Sequence, residues 1–173
     1  MKLRNYIDSD ANEIIKWIKD ERSLRLWSAD RYRDFPITAN DINNNYTECI
    51  SSSNFYPMTL VDDNKVVGHI ILRNPDSNYK DIVRLGFIIV DDSLRGKGYG
   101  KLLIKEAIKY AKMILNAKEI NLGVFENNDS AYHCYKSVGF KEIRTDKNVF
   151  QFHNEMWNCV EMILDNYEYQ DNI

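Results

Sequence analysis

Three of the seven glycines in this chain fall in one hexapeptide, Arg95-Gly96-Lys97-Gly98-Tyr99-Gly100, followed by Lys101. Glycines at alternate positions let successive N–H groups converge on a concave face with no Cβ in the way. A helix is expected to begin here, so its positive end reinforces the turn, and Arg95, Lys97 and Lys101 add charge. The combination suits an anionic phosphate. Two familiar phosphate loops are excluded: a Walker A loop needs glycine where Arg95 stands and Ser or Thr where Leu102 stands, and a dinucleotide fingerprint beginning at Gly96 needs glycine at Lys101. A tight strand-to-helix turn alone would explain the glycines. Three glycines together with three basic residues favour pyrophosphate binding over that plainer reading.

A second constellation lies in Asn127-Asn128-Asp129-Ser130-Ala131-Tyr132-His133-Cys134-Tyr135. Asn127, Ala131 and Tyr135 stand at i, i+4 and i+8, which predicts one helical face carrying an amide, a small gap and a phenol. Such a face would line a groove for an elongated ligand. The alternative is that Asn127 caps the helix and Tyr135 packs in the core.

These residues need elements to hold them. Lys2 to Tyr6 reads as an opening strand, and Asp8 or Ser9 as the cap of a helix carrying Ile14, Ile15, Trp17 and Ile18. The stretch from Ser23 to Phe35 reads as a polar and aromatic connection. A second helix is expected from Thr38 with Ile42, Tyr46 and Ile50. Phe55–Val61 and Lys65–Arg73 form a hairpin across Asp62-Asp63-Asn64. Ile82 to Val90 is an apolar run suited to a buried strand. A helix with Leu102, Leu103, Ala107, Ile108, Ala111 and Leu115 follows the glycine turn. Glu119–Phe125, Asp129–Val138, Lys141–Phe152 and Met156–Leu164 complete the chain as strand, helix, strand and strand. The expectation is a mixed α+β fold in a single domain over residues 1–173.

Composition limits the function classes. The chain has 173 residues, 23 Lys+Arg against 26 Asp+Glu, a net charge of −3, 44% hydrophobic and 28% charged residues, which is ordinary for a folded domain and not basic enough for a nucleic-acid footprint. No apolar run approaches a membrane span, and Met1 to Tyr6 lacks the apolar stretch of a secretory signal. Cys49, Cys134 and Cys159 show no paired or metal-ligand spacing. A cytoplasmic protein without metal, nucleic-acid or membrane partner is expected.

Together the two motifs resemble the GNAT superfamily of N-acetyltransferases. An Arg/Gln-x-x-Gly-x-Gly/Ala turn after the fourth strand is matched by Arg95 to Gly100, and an Asn-x-x-x-Ala-x-x-x-Tyr-x-x-x-Gly-Phe signature by Asn127, Ala131, Tyr135, Gly139 and Phe140. The branch it looks most like contains the ribosomal-protein N-terminal and spermidine acetyltransferases, to whose last strand Trp157 to Met162 is similar. The resemblance implies a mostly antiparallel seven-stranded sheet flanked by about four helices, with the fourth and fifth strands splayed at a cofactor cleft. It implies acetyl-CoA as co-substrate, with the backbone of Arg95, Gly96, Lys97, Gly98, Tyr99 and Gly100, beside Lys101, holding the pyrophosphate. Ile88, Ile89, Val90 and Asn127 would hold the pantetheine arm, and Tyr135 would protonate the departing thiolate. The partner would be a small-molecule amine or a protein N-terminus, with a homodimer as an option.

The chemistry requires a neutral amine. At pH 7, neutralising an alkyl ammonium of pKa about 10.4 costs about 4.6 kcal/mol, and an α-ammonium near pKa 8 about 1.4 kcal/mol. Arg84 stands where many members place a glutamate base, which leaves a water relay or a base elsewhere, such as Glu126; Arg84 itself would be solvated or recognise an acidic group. This departure keeps a second reading open, a CoA-binding sensor or interaction module with weak catalysis. His133 and Cys134 are neighbours that diverge on a helix, and His69 reads as structural. Trp27 and Tyr32 either line an acceptor pocket or pack over the core. Asp165, Glu168 and Asp171 would attract a polyamine or form a solvated tail.

Overall fold

A computed structural model describes residues 1–50, 54–76 and 78–164. Asp165, Glu168 and Asp171 lie outside the described residues. The chain runs β1 (Lys2–Asn5), α1 (Ala11–Ile14), α2 (Glu21–Ser28), α3 (Ala39–Ile50), β2 (Phe55–Asp62), β3 (Lys65–Arg73), β4 (Ile82–Val90), α4 (Tyr99–Met113), β5 (Glu119–Phe125), α5 (Asp129–Ser137), β6 (Phe140–Phe152) and β7 (Glu155–Leu164). The strands make one open sheet in the order β1-β2-β3-β4-β5-β7-β6, antiparallel except between β4 and β5.

Among the described residues five α-helices flank the sheet, where about four were expected. The additional one is α2, inside the stretch read as a connection. Its sequence, Glu-Arg-Ser-Leu-Arg-Leu-Trp-Ser, spreads Leu24 and Trp27 too thinly to reveal a helical period. The structure shows Asp20 capping it, accepting from the Ser23 N–H at 2.6 Å while the Ser23 hydroxyl accepts from the Asp20 N–H. Neither Asp8 nor Ser9 caps the first helix; a short 3₁₀ turn over Asp8–Asp10 precedes α1, and Asp10 accepts from the Ile7 N–H.

Each face of the sheet has its own core. On one face α4 and α5 cover Leu60, Ile70, Leu72, Val83, Leu85 and Leu122, with Leu103, Ile104, Ala107, Ile108 and Ala111 forming the buried stripe of α4. On the other, α1 to α3 pack Ile14, Leu24, Trp27, Ile42 and Tyr46 against Ile71 and Ile89. Each fully buried Leu or Ile contributes about 1.5–3 kcal/mol, so both cores are needed to hold the sheet.

The sheet opens at its centre. β4 pairs with β5 only from Ile82 to Leu85, opposite Glu119 to Leu122. A β-bulge lies where this pairing ends: β3 advances from His69 to Ile71 while β4 advances from Ile89 back to Gly86, leaving one extra residue on β4. Phe87 takes it up at φ 48°. The bulge reverses the alternation of β4, so Phe87 joins Trp27 and Tyr32 on the α1–α3 face instead of following Leu85 to the other core.

Candidate active site

The divergence of β4 and β5 leaves a cleft of about 830 Å³. At one end lies the glycine turn. Gly96 and Gly98 have φ of 74° and 88°, and a Cβ on either would meet nothing within 4 Å, so glycine is required there for backbone conformation and not for space. Gly100 is already helical. Two N–H groups expected to face the phosphates are used within the turn: Arg95 donates to Asp92 O at 3.4 Å and Lys97 to Leu94 O at 3.3 Å. Those of Gly96, Gly98, Tyr99, Gly100 and Lys101 donate to no acceptor among the described residues. The donor cluster is therefore displaced from Lys97 toward the first turn of α4, where the helix dipole adds to it. Arg95, Gly96, Gly98, Gly100 and Lys101 line the cleft; Lys97 and Tyr99 do not, and the Tyr99 hydroxyl donates to Asp62 instead.

Along the middle, Ile88, Ile89 and Val90 line one wall, and the edge of β4 from Gly86 onward has no partner strand on the β5 side. The opposite wall is α5, with Ala131, Cys134 and Tyr135. Tyr135 is 7% exposed, yet its hydroxyl has no hydrogen-bond partner among the described residues and is not sealed from the cleft. Burial pushes its pKa well above the ordinary phenol value, and Cys134 adds to the rise, so the proton stays on oxygen. Burial likewise pushes the Cys134 thiol up, so it is no thiolate nucleophile.

The spacing argument for Asn127 does not survive. The helix begins at Asp129 and Asn128 is its cap, accepting from the Ala131 N–H at 3.4 Å. Asn127 thus precedes the helix and shares no face with Ala131 and Tyr135. Asn128 lines the main cleft, while Asn127 and Glu126 line a separate, smaller groove with Glu155 to Asn158.

At the far end of the cleft Arg84 meets partners the sequence did not single out. Arg84 reaches across β5 to Glu161 on β7 in a two-pronged ion pair of 2.7 and 2.8 Å, and also donates to Asn121 at 3.1 Å. The path crosses Gly123, whose hypothetical Cβ would stand 2.5 Å from an Arg84 nitrogen and 2.9 Å from the Cys159 sulfur. Arg84 is therefore not free, which corrects the expectation that it would be solvated. Two signals could have revealed the pair: a lone charge within the apolar run of β4 matched by a glutamate in the apolar second half of β7, and a glycine inside β5. Trp27 and Tyr32 stack at 5.9 Å, 8° apart, and Trp27 lines the cleft. His69 is structural, as expected: it is fully buried, 2.7 Å from the Tyr46 hydroxyl, and burial lowers its pKa to about 3.

With this geometry established, comparison with known proteins is decisive. The model of the acetyltransferase (GNAT) family matches residues 12–140. The chain belongs to the GNAT acetyltransferases. The resemblance seen in the two motifs is thereby confirmed over most of the chain. An N-alpha-acetyltransferase from Sulfurisphaera tokodaii is 32% identical over 96 residues, which cover 51% of this chain and 58% of that protein. A spermine/spermidine N(1)-acetyltransferase from Bacillus subtilis is 33% identical over 66 residues, 38% of this chain and 43% of that protein. The chain thus spans about half the length of these curated relatives. The spermidine N-acetyltransferase from Vibrio cholerae, solved with CoA and spermine, superposes with a TM-score of 0.78 at 21% identity, covering 94% of this chain and 93% of that one. At that identity the likeness establishes the GNAT fold, including the open seven-stranded sheet. No helix among the described residues is long and apolar enough to cross a membrane.

Proposed function

We propose that this GNAT protein transfers an acetyl group from acetyl-CoA to a primary amine by direct attack of the amine on the thioester. The observation that carries the reading is the placement of free N–H donors, an unpaired strand edge and the open Tyr135 hydroxyl along one cleft. The residues present fit the co-substrate. The N–H groups of Gly96 and Gly98 and of the first turn of α4, with Arg95 and Lys101 beside them, would hold the diphosphate. The edge of β4 at Ile88 to Val90 would pair with the amides of the pantetheine arm. Acetyl-CoA supplies the activated acyl group.

Tyr135 would deliver the proton to the departing sulfur. Its raised pKa does not prevent this transfer, because the same burial penalises a thiolate as it does a phenolate. The high pKa of Cys134 supports direct transfer over an acetyl-enzyme. Among the described residues, no Asp or Glu lines the cleft. The ammonium proton of the acceptor would leave through water or to His133, which lines the cleft, and amines of lower pKa would be acetylated more readily.

The test is thiol release from acetyl-CoA with a panel of primary amines. Acceptor-dependent release, with log kcat/KM rising with pH toward the pKa of the amine, supports the proposal. CoA binding by calorimetry with no release across the panel would instead favour a sensor of the same fold.

A further inference from the structure

The charge at the acceptor end of the cleft is not that of a polyamine site. Arg31, Arg73 and Arg84 all line it, and no carboxylate does so among the described residues. Arg73 and Arg84 are register partners across β3 and β4, so their side chains rise from the same face. Arg84 is neutralised by Glu161. Arg73 is half-buried, makes no hydrogen bond or ion pair among the described residues, and lies within the fields of Arg84 and Arg31, which Cys49 and Glu161 oppose only weakly. Burial, then those two like charges, lower its pKa, but a guanidinium remains charged throughout the physiological range. Arg31 has its guanidinium 5.7 Å above the Phe87 ring and likewise has no carboxylate partner.

A half-buried Arg73 beside an exposed Arg31, neither with a counter-ion among the described residues, makes a cationic patch that a bound anion would neutralise. The diphosphate end has its own donors in the glycine turn, and the β4 bulge sets Phe87, under Arg31, on the α1–α3 face of the sheet, the face from which Arg73 and Arg84 also rise. Building on the acetyl-transfer reading, we propose that the acceptor is a small primary amine that also carries an oxyanion, a carboxylate or phosphonate, held by Arg73 and Arg31. The planar fork of arginine suits two-pronged recognition of such a group. A polyamine brings only positive charge to this end and is disfavoured there.

The experiment measures kcat/KM by thiol release for paired acceptors of matched shape: 4-aminobutyrate and glutamate against their uncharged amides, 3-aminopropylphosphonate against its diethyl ester, and spermidine as the polyamine arm. The carboxylate and phosphonate arms distinguish the two oxyanions. A charge-assisted hydrogen bond corresponds to ~10–100-fold in rate ratio, so at least one anionic member should exceed its uncharged partner by about tenfold or more. Arg73→Gln should bring that ratio close to one, and Arg73→Lys should restore part of it. Arg31→Gln, at an exposed position, should lower the ratio without loss of folding. Ratios at or below one in every pair, with release from uncharged amines or spermidine, would overturn the inference while leaving acetyl transfer standing. Ratios unmoved by Arg73→Gln and Arg31→Gln would overturn the assignment of these arginines. No release from any amine, with acetyl-CoA still registering by calorimetry, would overturn the transfer reading and this inference with it.

Discussion

Both ends of the cleft are cationic, but they are built from different parts of the chain. At the glycine-turn end, proposed to take the diphosphate, the donors are backbone N–H groups, freed by two left-handed glycines and by the start of α4, with Arg95 and Lys101 exposed beside them. At the acceptor end the charges sit on long side chains that rise from different strands and meet only because the sheet is assembled. The cores beneath differ in the same way. The α4–α5 side is apolar apart from the Tyr135 phenol, whereas the α1–α3 side encloses Asp10, Thr59 and the His69–Tyr46 pair. Local backbone geometry makes one end, and long-range electrostatics the other.

The sharpest way to break this comparison is Glu161→Gln. Removing one partner of a mostly buried ion pair leaves Arg84 uncompensated and should cost about 3 kcal/mol of stability, read by urea denaturation. CoA affinity, which depends on the other end, should change little; a large loss of CoA binding in a folded variant would show the two ends to be coupled.

Acid should act on the same side of the sheet. His69 has a folded pKa of about 3, below its unfolded value, so it contributes stability that is lost as pH falls below about 6.5. The slope is about 1.4 kcal/mol per pH unit, which gives about 3 kcal/mol by pH 4. His69→Gln should flatten that slope. Asp10 acts at lower pH: burial pushes its carboxyl up, but the Arg4 guanidinium, the Ile7 N–H and the Thr59 hydroxyl outweigh burial and hold it below the usual range. Its stabilisation is complete above the unfolded carboxyl pKa and disappears as pH falls through the folded one.

At the junction of the two ends, Tyr135→Phe should lower kcat about 100-fold, some 2.7 kcal/mol, with CoA affinity retained. Wild-type turnover would remove Tyr135 from the acid role. The smallest effect is expected within the turn. Gly98→Ala forces a side chain into φ 88° and should cost about 1–2 kcal/mol, read as an approximately tenfold weaker CoA affinity by calorimetry. Gly100→Ala, where the new Cβ would meet the Cys134 sulfur at an ordinary 3.5 Å, should be close to neutral. Equal losses at both positions would mean that space, and not backbone conformation, selects glycine in this turn.

The difference between the two ends also explains what could be read from the sequence. The glycine turn, the strand leading into it and the helix leaving it were legible because each depends on neighbours within a few residues. So were the hairpin at Asp62-Asp63-Asn64 and the buried structural role of His69. The helix α2 escaped because its stability comes from docking Leu24 and Trp27 on the sheet, not from its own periodicity. Asn127 was put on the face of Ala131 and Tyr135, or at the cap, whereas Asn128 caps the helix, and a cap between adjacent asparagines is decided by how the chain leaves β5. Arg84 was read without Glu161 because 77 residues separate them in sequence.

The order of residues by itself determined the glycine turn, the strand-rich architecture and the position of Tyr135 on the helix that follows β5, since φ restrictions, hydrophobic period and capping act over short range. Only the tertiary structure decided which N–H groups remain free, that Phe87 crosses to the other face at the bulge, and that Arg84 lies over Gly123 on Glu161 while Arg73 and Arg31 have no counter-ion among the described residues. Those outcomes depend on strand register and on the distance between charges, and both exist only once the sheet has closed around them.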